Sequence, residues 1–247
     1  MKSTQAARCV LTFHRIVDRV ERDHDVSWPS FLRILDTIRD RITTDLRLRP
    51  ETGREVVLTF DDGSPDHAAV GRELAVRQVA GIFFVPAGMI GSRGFLNEGE
   101  LHELHAEGHI IGSHGFNNIR LSGLLPSELR QELRGSRERL QNLLGTTIGY
   151  LSTPGGSNHP LLAKELEESG FSAARSMRWG VHRREADRWR IPCIPVTELT
   201  ISRGWVERVL AGWRLPVPMR VVWGVKELLP PDARSAVRSW SHRVSRE

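Results

Sequence analysis

Short apolar runs alternate with amphipathic segments along most of this chain. The runs are four to six residues long and rich in β-branched and aromatic side chains, which is typical of buried strands. We predict strands at Cys9–His14, Val56–Phe60, Gly81–Pro86, His109–Ser113, Tyr150–Thr153, Phe171–Ala174 and Ile191–Val196. Strand and helix patterns that alternate in this way predict an α/β fold with a mostly parallel sheet, either a barrel or a doubly wound open sheet.

The segments between these runs carry helical periodicity. One apolar face, opened by Ser27 as a candidate N-cap, consists of Trp28, Phe31, Leu32, Leu35, Ile38 and Ile42. Further helices are predicted at Pro65–Val79, Glu98–Ala106, Ser127–Leu144 and Pro160–Ser169, and Gly145 and Gly170 close the last two. In either architecture, functional residues are expected at the carboxyl ends of the strands.

Composition is ordinary for a globular domain, but the charge is uneven. The 247 residues are 39% hydrophobic and 26% charged, with a formal net charge of +5. Residues 203–247 hold nine Lys/Arg against four Asp/Glu, so the whole excess lies there, together with Trp205, Trp213, Trp223 and Trp240. We expect this short helical C-terminal extension to pack on the main domain; contact with an anionic membrane surface or an acidic glycan is the alternative. No motif indicates nucleic-acid binding.

The sequence predicts neither a signal peptide nor a membrane span. The polar start MKSTQAARCVLTFHR is unlike a signal peptide, and no apolar run approaches the length of a membrane helix. Cys9 and Cys193 lie in separate apolar strands without metal-ligand spacing, so we interpret both as core thiols. A cytoplasmic protein is the simplest expectation.

Two adjacent carboxylates, Asp61 and Asp62, end the strand VVLTF. Adjacent like charges are costly unless a cation or a proton offsets them. A turn leading into a helix, with Ser64 as N-cap and Pro65 as its first residue, explains the sequence after the pair but not the two acids.

A cation would need a further ligand from another strand end, and His114 follows the strand His109–Ser113. An imidazole and one carboxylate would leave such a site open to water. The second carboxylate could then act as a general base towards that water.

The segments TFDDG, GHIIGSHGFNN and the later proline–glycine loop resemble the polysaccharide deacetylase family, the NodB-homology domain of the carbohydrate esterase family 4 type. LTFHRI and GIFFVPAGMI also resemble that family's first and third strands. The likeness covers about residues 9–200, so we divide the chain into a deacetylase-like domain at 1–202 and the extension at 203–247.

This resemblance implies a distorted (β/α) barrel of about seven parallel strands, a divalent metal that is usually zinc, and removal of an N-acetyl group from an amino sugar or glycan precursor. By position, Asp61 matches the catalytic base, while Asp62 and His114 match metal ligands. The loop at Pro154, Gly155 and Gly156 matches a substrate-binding loop, and Trp179 matches a tryptophan that lines the acetyl pocket.

The chain departs from the family pattern at three positions. Asn118 replaces the second metal-binding histidine, and Ser152 replaces an arginine that orients the base. Residues 194–201, IPVTELTI, lack the late histidine that acts as general acid. Asn118 is four residues after His114, so one helical turn would place both on the same face. Arg175 is a candidate substitute for the missing arginine.

Other histidines are candidates for additional ligands or acids. His102 and His105 are expected on a solvated helix face, and His109 is expected to be structural. His14 ends the first strand and is either a site residue or a barrel-interior histidine. His159 and His182 lie in loops that could reach the metal.

The sequence therefore predicts a metal-dependent hydrolase of carbon–nitrogen bonds other than peptide bonds, acting on an N-acetylated sugar. Asp62, His114 and Asn118 would hold the metal, and Asp61 would deprotonate the water that attacks the acetyl carbonyl, with the metal and a backbone N–H stabilising the oxyanion. Because three family residues are absent, one alternative is a catalytically degenerate barrel that binds a glycan or a protein partner. Another is a hydrolase of a non-sugar amide.

Overall fold

A computed structural model of the chain describes residues 7–46, 54–183, 187–202 and 204–210. The strands are β1 Ala7–Phe13, β2 Arg15–Val17, β3 Asp25–Ser27, β4 Arg54–Phe60, β5 Ile82–Val85, β6 Ile110–Ser113, β7 Tyr150–Ser152, β8 Ala173–Trp179, β9 His182–Arg183 and β10 Ile191–Pro195. The α-helices are α1 Trp28–Ile38, α2 Asp66–Val76, α3 Glu98–Ala106, α4 Pro126–Leu144, α5 Leu162–Glu168, α6 Glu198–Ser202 and α7 Trp205–Leu210.

Seven of these strands form a closed parallel barrel in the order β1-β4-β5-β6-β7-β8-β10, which confirms the predicted fold class. The ring closes because β10 pairs with β1 in parallel, with Leu11 beside Ile194. The two-residue strand β9 adds to the amino end of β1 in the antiparallel sense, with Arg8 beside His182. Strands β2 and β3 form a separate parallel pair.

Alternation along the strands divides the core into two parts. Leu11 and Leu58 point outward into a large cluster that also contains helical residues such as Phe31 and Leu133. The intervening strand residues point into the barrel and, together with Leu46 from the segment before β4, form a smaller cluster, namely Val10, Leu46, Val57, Ile82, Phe84, Ala173, Ile191 and Cys193. Because successive strand residues face opposite ways, the interior positions continue upward to Thr12, Thr59 and then Asp61.

Most predicted boundaries are within two residues of the observed ones, but three local predictions were wrong. Helix α2 begins at Asp66 rather than Pro65, and no side chain caps its first N–H groups. The Ser64 hydroxyl bonds the Asp66 carboxylate, and the backbone carbonyl of Ser64 accepts from the His67 N–H at 3.0 Å. The hydroxyl is therefore occupied by a neighbouring side chain instead of the helix.

Strand β8 was predicted to end at Ala174 and instead continues to Trp179. The sequence Arg175–Arg178 interrupts the apolar run, but the Arg175 side chain is fully buried and ion-paired inside the barrel. The segment from His114 to Asn118 also forms no helical turn, because Gly115 and Asn118 adopt φ values of 74° and 55°. These left-handed conformations break the helical path.

The described part of the C-terminal extension packs on the main core, as predicted. In α7, Val206, Val209 and Leu210 are buried in the outer cluster, and Arg41 Nη1 donates to the Leu210 carbonyl at 3.1 Å. Trp213, Trp223 and Trp240 lie outside the described residues, and the domain boundary at residue 202 stays a prediction. Within the described ranges, no helix combines the length and apolar character needed to cross a membrane.

The two cysteines are buried free thiols, as expected. Burial, with a smaller contribution from nearby Cys193, raises the pKa of Cys9 to about 12. Neither thiol is therefore poised as a nucleophile at neutral pH.

Candidate active site

The predicted site residues meet at the carboxyl end of the barrel. Asp61 follows β4, His114 follows β6, and Ser152 and Arg175 lie on β7 and β8. Each is an even number of residues from an inward-facing neighbour on its own strand, so the pleat directs all four towards the barrel axis. The site is therefore a direct product of strand register, as expected for a parallel barrel.

Asp61 is held by a buried network at the top of the barrel. Its Oδ2 receives the Arg175 guanidinium in a close ion pair and the Ser152 hydroxyl at 3.2 Å. The same guanidinium also donates to Ser152 Oγ. Side-chain exposure is 2% for Asp61 and 0% for Arg175, so the pair is shielded from solvent.

The other carboxylate oxygen of Asp61 is free within the described residues. Asp61 Oδ1 is buried and has no hydrogen-bond partner there. Because Arg175 and Ser152 fix one oxygen, the second is held at a defined place with its lone pairs available. A carboxylate arranged in this way can accept a proton from a bound molecule.

Opposing effects set the ionisation of Asp61. Burial would raise its pKa, but the charge of Arg175, followed by His114 and His14, outweighs burial and holds the pKa below the ordinary value. Asp61 is therefore a carboxylate at neutral pH. Without the guanidinium, burial would dominate and favour the neutral acid.

Arg175 reaches Asp61 from β8. The family pattern has its arginine at the neighbouring position on β7, where this chain has Ser152. In the parallel ladder between β7 and β8, Ser152 is the register partner of Arg175. Arg175 Nη1 also contacts Met177 Sδ at 3.0 Å and Cys193 Sγ at 3.4 Å, which anchors the other side of the guanidinium. The structure thus puts a buried arginine on Asp61 despite the serine at 152, as the Arg175 hypothesis requires.

Asp62, His114 and Asn118 form a second cluster beside Asp61. Asp62 Oδ1 lies 3.4 Å from His114 Nε2 and 3.4 Å from Asn118 Nδ2. The Asp62 backbone is left-handed, with φ of 73°, which turns its side chain away from the direction of Asp61. Its side chain is 43% exposed, whereas that of His114 is 3% exposed, so the cluster opens to solvent on the Asp62 side.

This cluster is electrostatically ready for a cation. Burial raises the pKa of Asp62, but its hydrogen bond with His114 and the nearby charges of His114 and His14 outweigh burial and hold the pKa well below the ordinary value. An ionised carboxylate, an imidazole nitrogen and an amide group therefore converge on one place.

The fit to a divalent metal can be judged from these donors. Among the described residues, no group of three His, Cys, Asp or Glu side chains could hold a metal, so the Asn118 amide is the candidate third ligand beside Asp62 and His114. Turning that amide would direct its oxygen to the cluster, since the oxygen and nitrogen are assigned from hydrogen bonding alone. Carboxylate, imidazole and carbonyl oxygen are all ligands of divalent metals, and the exposed side leaves room for water. The residues fit an open site.

His14 lies at the carboxyl end of β1, on the rim that carries both carboxylates. It follows β1 and stacks on His24 with ring centroids 4.9 Å apart. Burial lowers its pKa to about 4, although the neighbouring charges of Asp61 and Asp62 act in the opposite direction. Its Nδ1 is buried and has no hydrogen-bond partner within the described residues. A titratable imidazole thus lies beside both carboxylates.

The predicted substrate loop follows β7 at the same end of the barrel. Pro154–Gly156 form a tight, kinked turn in which Gly155 and Gly156 have left-handed φ values of 60° and 64°. A Cβ at Gly156 would lie 2.5 Å from Met177 Cβ, so only glycine fits against β8 there. Trp179 is half-buried at the carboxyl end of β8. Loop and tryptophan therefore lie on the same rim as the carboxylates.

The remaining histidines do not complete the site. His159 binds backbone through both ring nitrogens, at the Leu124 carbonyl and the Leu161 N–H. His182 lies beside Arg8 at the amino end of β1, the end opposite the site. His109 contacts the backbone of Gly71 and Gly81, which confirms a structural role. His102 is exposed and His105 half-buried, as predicted for a helix surface.

One buried acid near the site was missed from the sequence. Glu132 on α4 is only 5% exposed and accepts from the backbone N–H groups of Phe116 and Asn117. A signal was present, because Glu132 falls on the same helical stripe as Leu129, Leu133 and Leu140. An acid in an apolar stripe calls for a buried partner.

The chain belongs to the polysaccharide deacetylase family, whose sequence model matches residues 49–174. The protein YxkH of Bacillus subtilis (strain 168), whose name assigns it to the polysaccharide deacetylases, is 26% identical over 117 residues. That match covers 47% of this chain and 42% of YxkH, so the chain spans less than half the length of this relative.

Solved structures share the fold at low sequence identity. The Streptococcus pyogenes deacetylase PplD, solved in complex with acetate, superposes with a TM-score of 0.72 at 17% identity, covering 78% of this chain and 94% of PplD. IcaB from Ammonifex degensii gives 0.69 at 22% identity, covering 83% of this chain and all of that one. The polysaccharide deacetylase BC0361 from Bacillus cereus gives 0.71 at 19%, covering 83% and 68%. These likenesses show that the chain shares the barrel fold of these proteins.

Proposed function

We propose that this protein is a metal-dependent hydrolase that removes N-acetyl groups from an amino sugar or glycan. The observation that carries the proposal is the pair of adjacent aspartates with separate environments. Asp61 is buried on Arg175 and Ser152, whereas the Asp62 carboxylate lies at 3.4 Å from both His114 and Asn118 and is open to solvent. Two acids separated in this way suit two different roles.

Asp62, His114 and Asn118 would hold a divalent cation, and zinc is the cation that the family implies. When bound, the cation supplies Lewis-acid chemistry, lowering the pKa of water and polarising a carbonyl. Asp62 would bring the negative charge, His114 the nitrogen ligand and Asn118 a neutral oxygen. The open side at Asp62 leaves the substrate its approach.

Asp61 would act as the general base. Its Oδ1 would accept the proton of the attacking water, while Arg175 and Ser152 hold Oδ2 and keep the carboxylate ionised. The low pKa makes Asp61 a weak base in solution terms. Its fixed orientation and dry surroundings favour proton transfer at this one place.

His14 could pass to the leaving amine the proton that Asp61 takes from water, because its pKa of about 4 leaves the imidazole itself neutral at neutral pH. It stands beside both carboxylates, and its neighbour β10 is the strand where the sequence lacks the late histidine. The amine could equally take back the proton held on Asp61 Oδ1, since one carboxylate can serve as base and then as acid. Loss of turnover in His14→Gln, with Asp61 intact, would favour the histidine.

The degenerate-barrel alternative rests on three missing family residues. The buried pairing of Arg175 with Asp61 supplies a guanidinium in spite of Ser152, which weakens one of the three arguments. Binding of a glycan without turnover remains the competing hypothesis, as does hydrolysis of a non-sugar amide. A cytoplasmic location stays a prediction, and membrane contact through the basic C-terminal segment 203–247 stays the alternative to packing.

The test is acetate release from N-acetylglucosamine oligomers by protein that has been stripped with chelator and then reloaded with zinc. We expect acetate only from the reloaded protein, and none from Asp61→Asn at the same metal content. Turnover on a non-sugar acetamide but not on oligomers would change the substrate class. Absence of turnover on every amide with the metal bound would leave the degenerate barrel as the better account.

A further inference from the structure

Glu132 on helix α4 holds the segment that carries His114 and Asn118 through hydrogen bonds. Glu132 Oε2 accepts the N–H of Phe116 at 2.8 Å and that of Asn117 at 3.0 Å, while Oε1 accepts from the Asn117 side-chain amide. Glu132 is only 5% exposed. A buried carboxylate that satisfies two successive backbone N–H groups fills the kind of concave anion site that left-handed turns form.

Ser136 is a second polar residue on the same face of α4, one turn after Glu132, and it also contacts this region. Ser136 follows Glu132 by four residues, so both face β6. The Ser136 hydroxyl lies 2.7 Å from Ser113 Oγ, and that oxygen accepts the Gly115 N–H at 3.1 Å. The backbone on both sides of His114 is therefore tied to α4.

The opposite side of the segment is tied to the turn after β5. Ala87 N–H donates to the Gly115 carbonyl at 3.1 Å, and Gly88 N–H donates to the Phe116 carbonyl at 2.8 Å. A Cβ at Gly115 would lie 3.2 Å from Glu132 Oε2, which is tighter than ordinary contact, and the backbone φ of 74° also disfavours a side chain there. The segment is thus fixed between α4 and the β5 turn, and Glu132 is the charged group in that arrangement.

We propose that Glu132 is a positioning residue for the cation site: its carboxylate sets the backbone of Phe116 and Asn117 and thereby the directions of His114 and Asn118. This inference rests on the proposed function for the identity of the site. The loop between the two ligands contains no helix or strand of its own, and Asn118 has a left-handed backbone. Without Glu132, the backbone N–H groups of Phe116 and Asn117 would lose their acceptor, and the loop would adopt other conformations.

The matched variants are Glu132→Met and Glu132→Gln. Methionine keeps the length and apolar volume but accepts no hydrogen bond of comparable strength, whereas the glutamine carbonyl can still accept both backbone N–H groups. Glu138→Gln on the same helix is the control, because Glu138 is exposed. If Glu132→Met does not fold, Glu132→Asp replaces it, with a carboxylate one methylene too short to reach both amides.

Two readouts are needed. The first is hydrogen–deuterium exchange of peptides covering residues 114–118 in metal-free protein, where we expect about tenfold or faster exchange in Glu132→Met and near wild-type exchange in Glu132→Gln. The second is zinc affinity by calorimetry, which should fall by roughly 10–100-fold in Glu132→Met, the usual effect of losing a group that orients a ligand. The Glu132→Gln variant should keep most of the wild-type zinc affinity.

The two readouts separate failure of this inference from failure of the proposed function. If wild type binds no zinc, the proposed cation site is wrong, but the exchange measurement still tests whether Glu132 orders the loop. If Glu132→Met lowers the melting temperature while exchange at 114–118 and zinc affinity stay at wild-type values, Glu132 only packs and the inference is overturned. Equal losses in the methionine and glutamine variants would likewise contradict it.

Discussion

Replacing Arg175 with methionine should disturb stability and ionisation together. The change leaves Asp61, whose side chain is 2% exposed, as a buried carboxylate with the Ser152 hydroxyl as its remaining side-chain partner. Breaking a buried pair by removing one partner costs about 3–5 kcal/mol. For a domain of this size, that free-energy loss corresponds to a fall in melting temperature of roughly 6–20 °C. The exposed Arg139 on α4, changed to methionine, should cost less than about 0.5 kcal/mol.

The same variant should move the acid limb of the pH–rate profile. With Arg175 gone, burial becomes the dominant influence and raises the pKa of Asp61 instead of being outweighed. The base is then protonated at higher pH, so kcat should decline earlier as the pH falls. Chemical denaturation and a pH series of acetate release measure the two effects on the same preparations.

Two further variants test whether the cause is the unpaired charge. Asp61→Asn combined with Arg175→Met removes both charges, and should unfold less easily than Arg175→Met alone. Ser152→Arg with Arg175→Ser exchanges register partners, so a guanidinium can again reach Asp61 from β7. We expect this exchange to shift the acid limb of the pH–rate profile most of the way back to its wild-type position. If Arg175→Met leaves both the unfolding free energy and the acid limb unchanged, the role assigned to Arg175 is wrong.

The other predictions concern the metal ligands and the response to acid. Asp62→Ala should lose zinc and turnover together, whereas Asp61→Asn should keep zinc by elemental analysis and lose turnover; equal metal loss in both would refute the division of roles. Asn118→His should raise zinc affinity about tenfold or more, or about 1.4 kcal/mol by calorimetry, since histidine tolerates the left-handed backbone there. An unchanged affinity would mean that residue 118 does not ligate. In metal-free protein, His14 binds fewer protons when folded, with a pKa of about 4 against 6.5, so its contribution to stability is present above pH 6.5 and lost as the pH falls from 6.5 to 4. His14→Gln should flatten that part of a denaturation series, and an identical slope would contradict the assignment.

The parallel α/β fold and the meeting of the site residues at one rim could be predicted from the sequence because both follow from local rules. Parallel strands put their carboxyl ends on one rim, so Asp61 and His114 could be brought together without knowing the structure. The barrel rather than an open sheet came from the family resemblance, and only the pairing of β1 with β10 demonstrates the closure.

What the sequence could not predict depends on contacts between distant segments. That Arg175 would reach Asp61 requires the register of β7 against β8, which a single chain does not reveal. The predicted strand ends at Ala174, where the apolar run gives way to Arg175, but β8 continues because that charge is neutralised inside the barrel. Glu132 was overlooked for a similar reason, since its partners are backbone N–H groups on another segment.

The left-handed backbone of the loop after β6 could also not be predicted from local sequence rules. A spacing of four between His114 and Asn118 suggested a helical turn, but backbone φ values of 74° at Gly115 and 55° at Asn118 bring the two side chains to Asp62 by a different path. The predicted convergence was therefore right while the predicted backbone was wrong.

Titration of zinc into chelator-stripped protein, with bound metal and acetate release measured on the same samples, tests the central claim most directly. The account predicts one ion bound per chain, turnover that rises in proportion to occupancy, and loss of both in Asp62→Ala. Full occupancy without acetate release from any N-acetylated sugar, or turnover that is independent of occupancy, would contradict it.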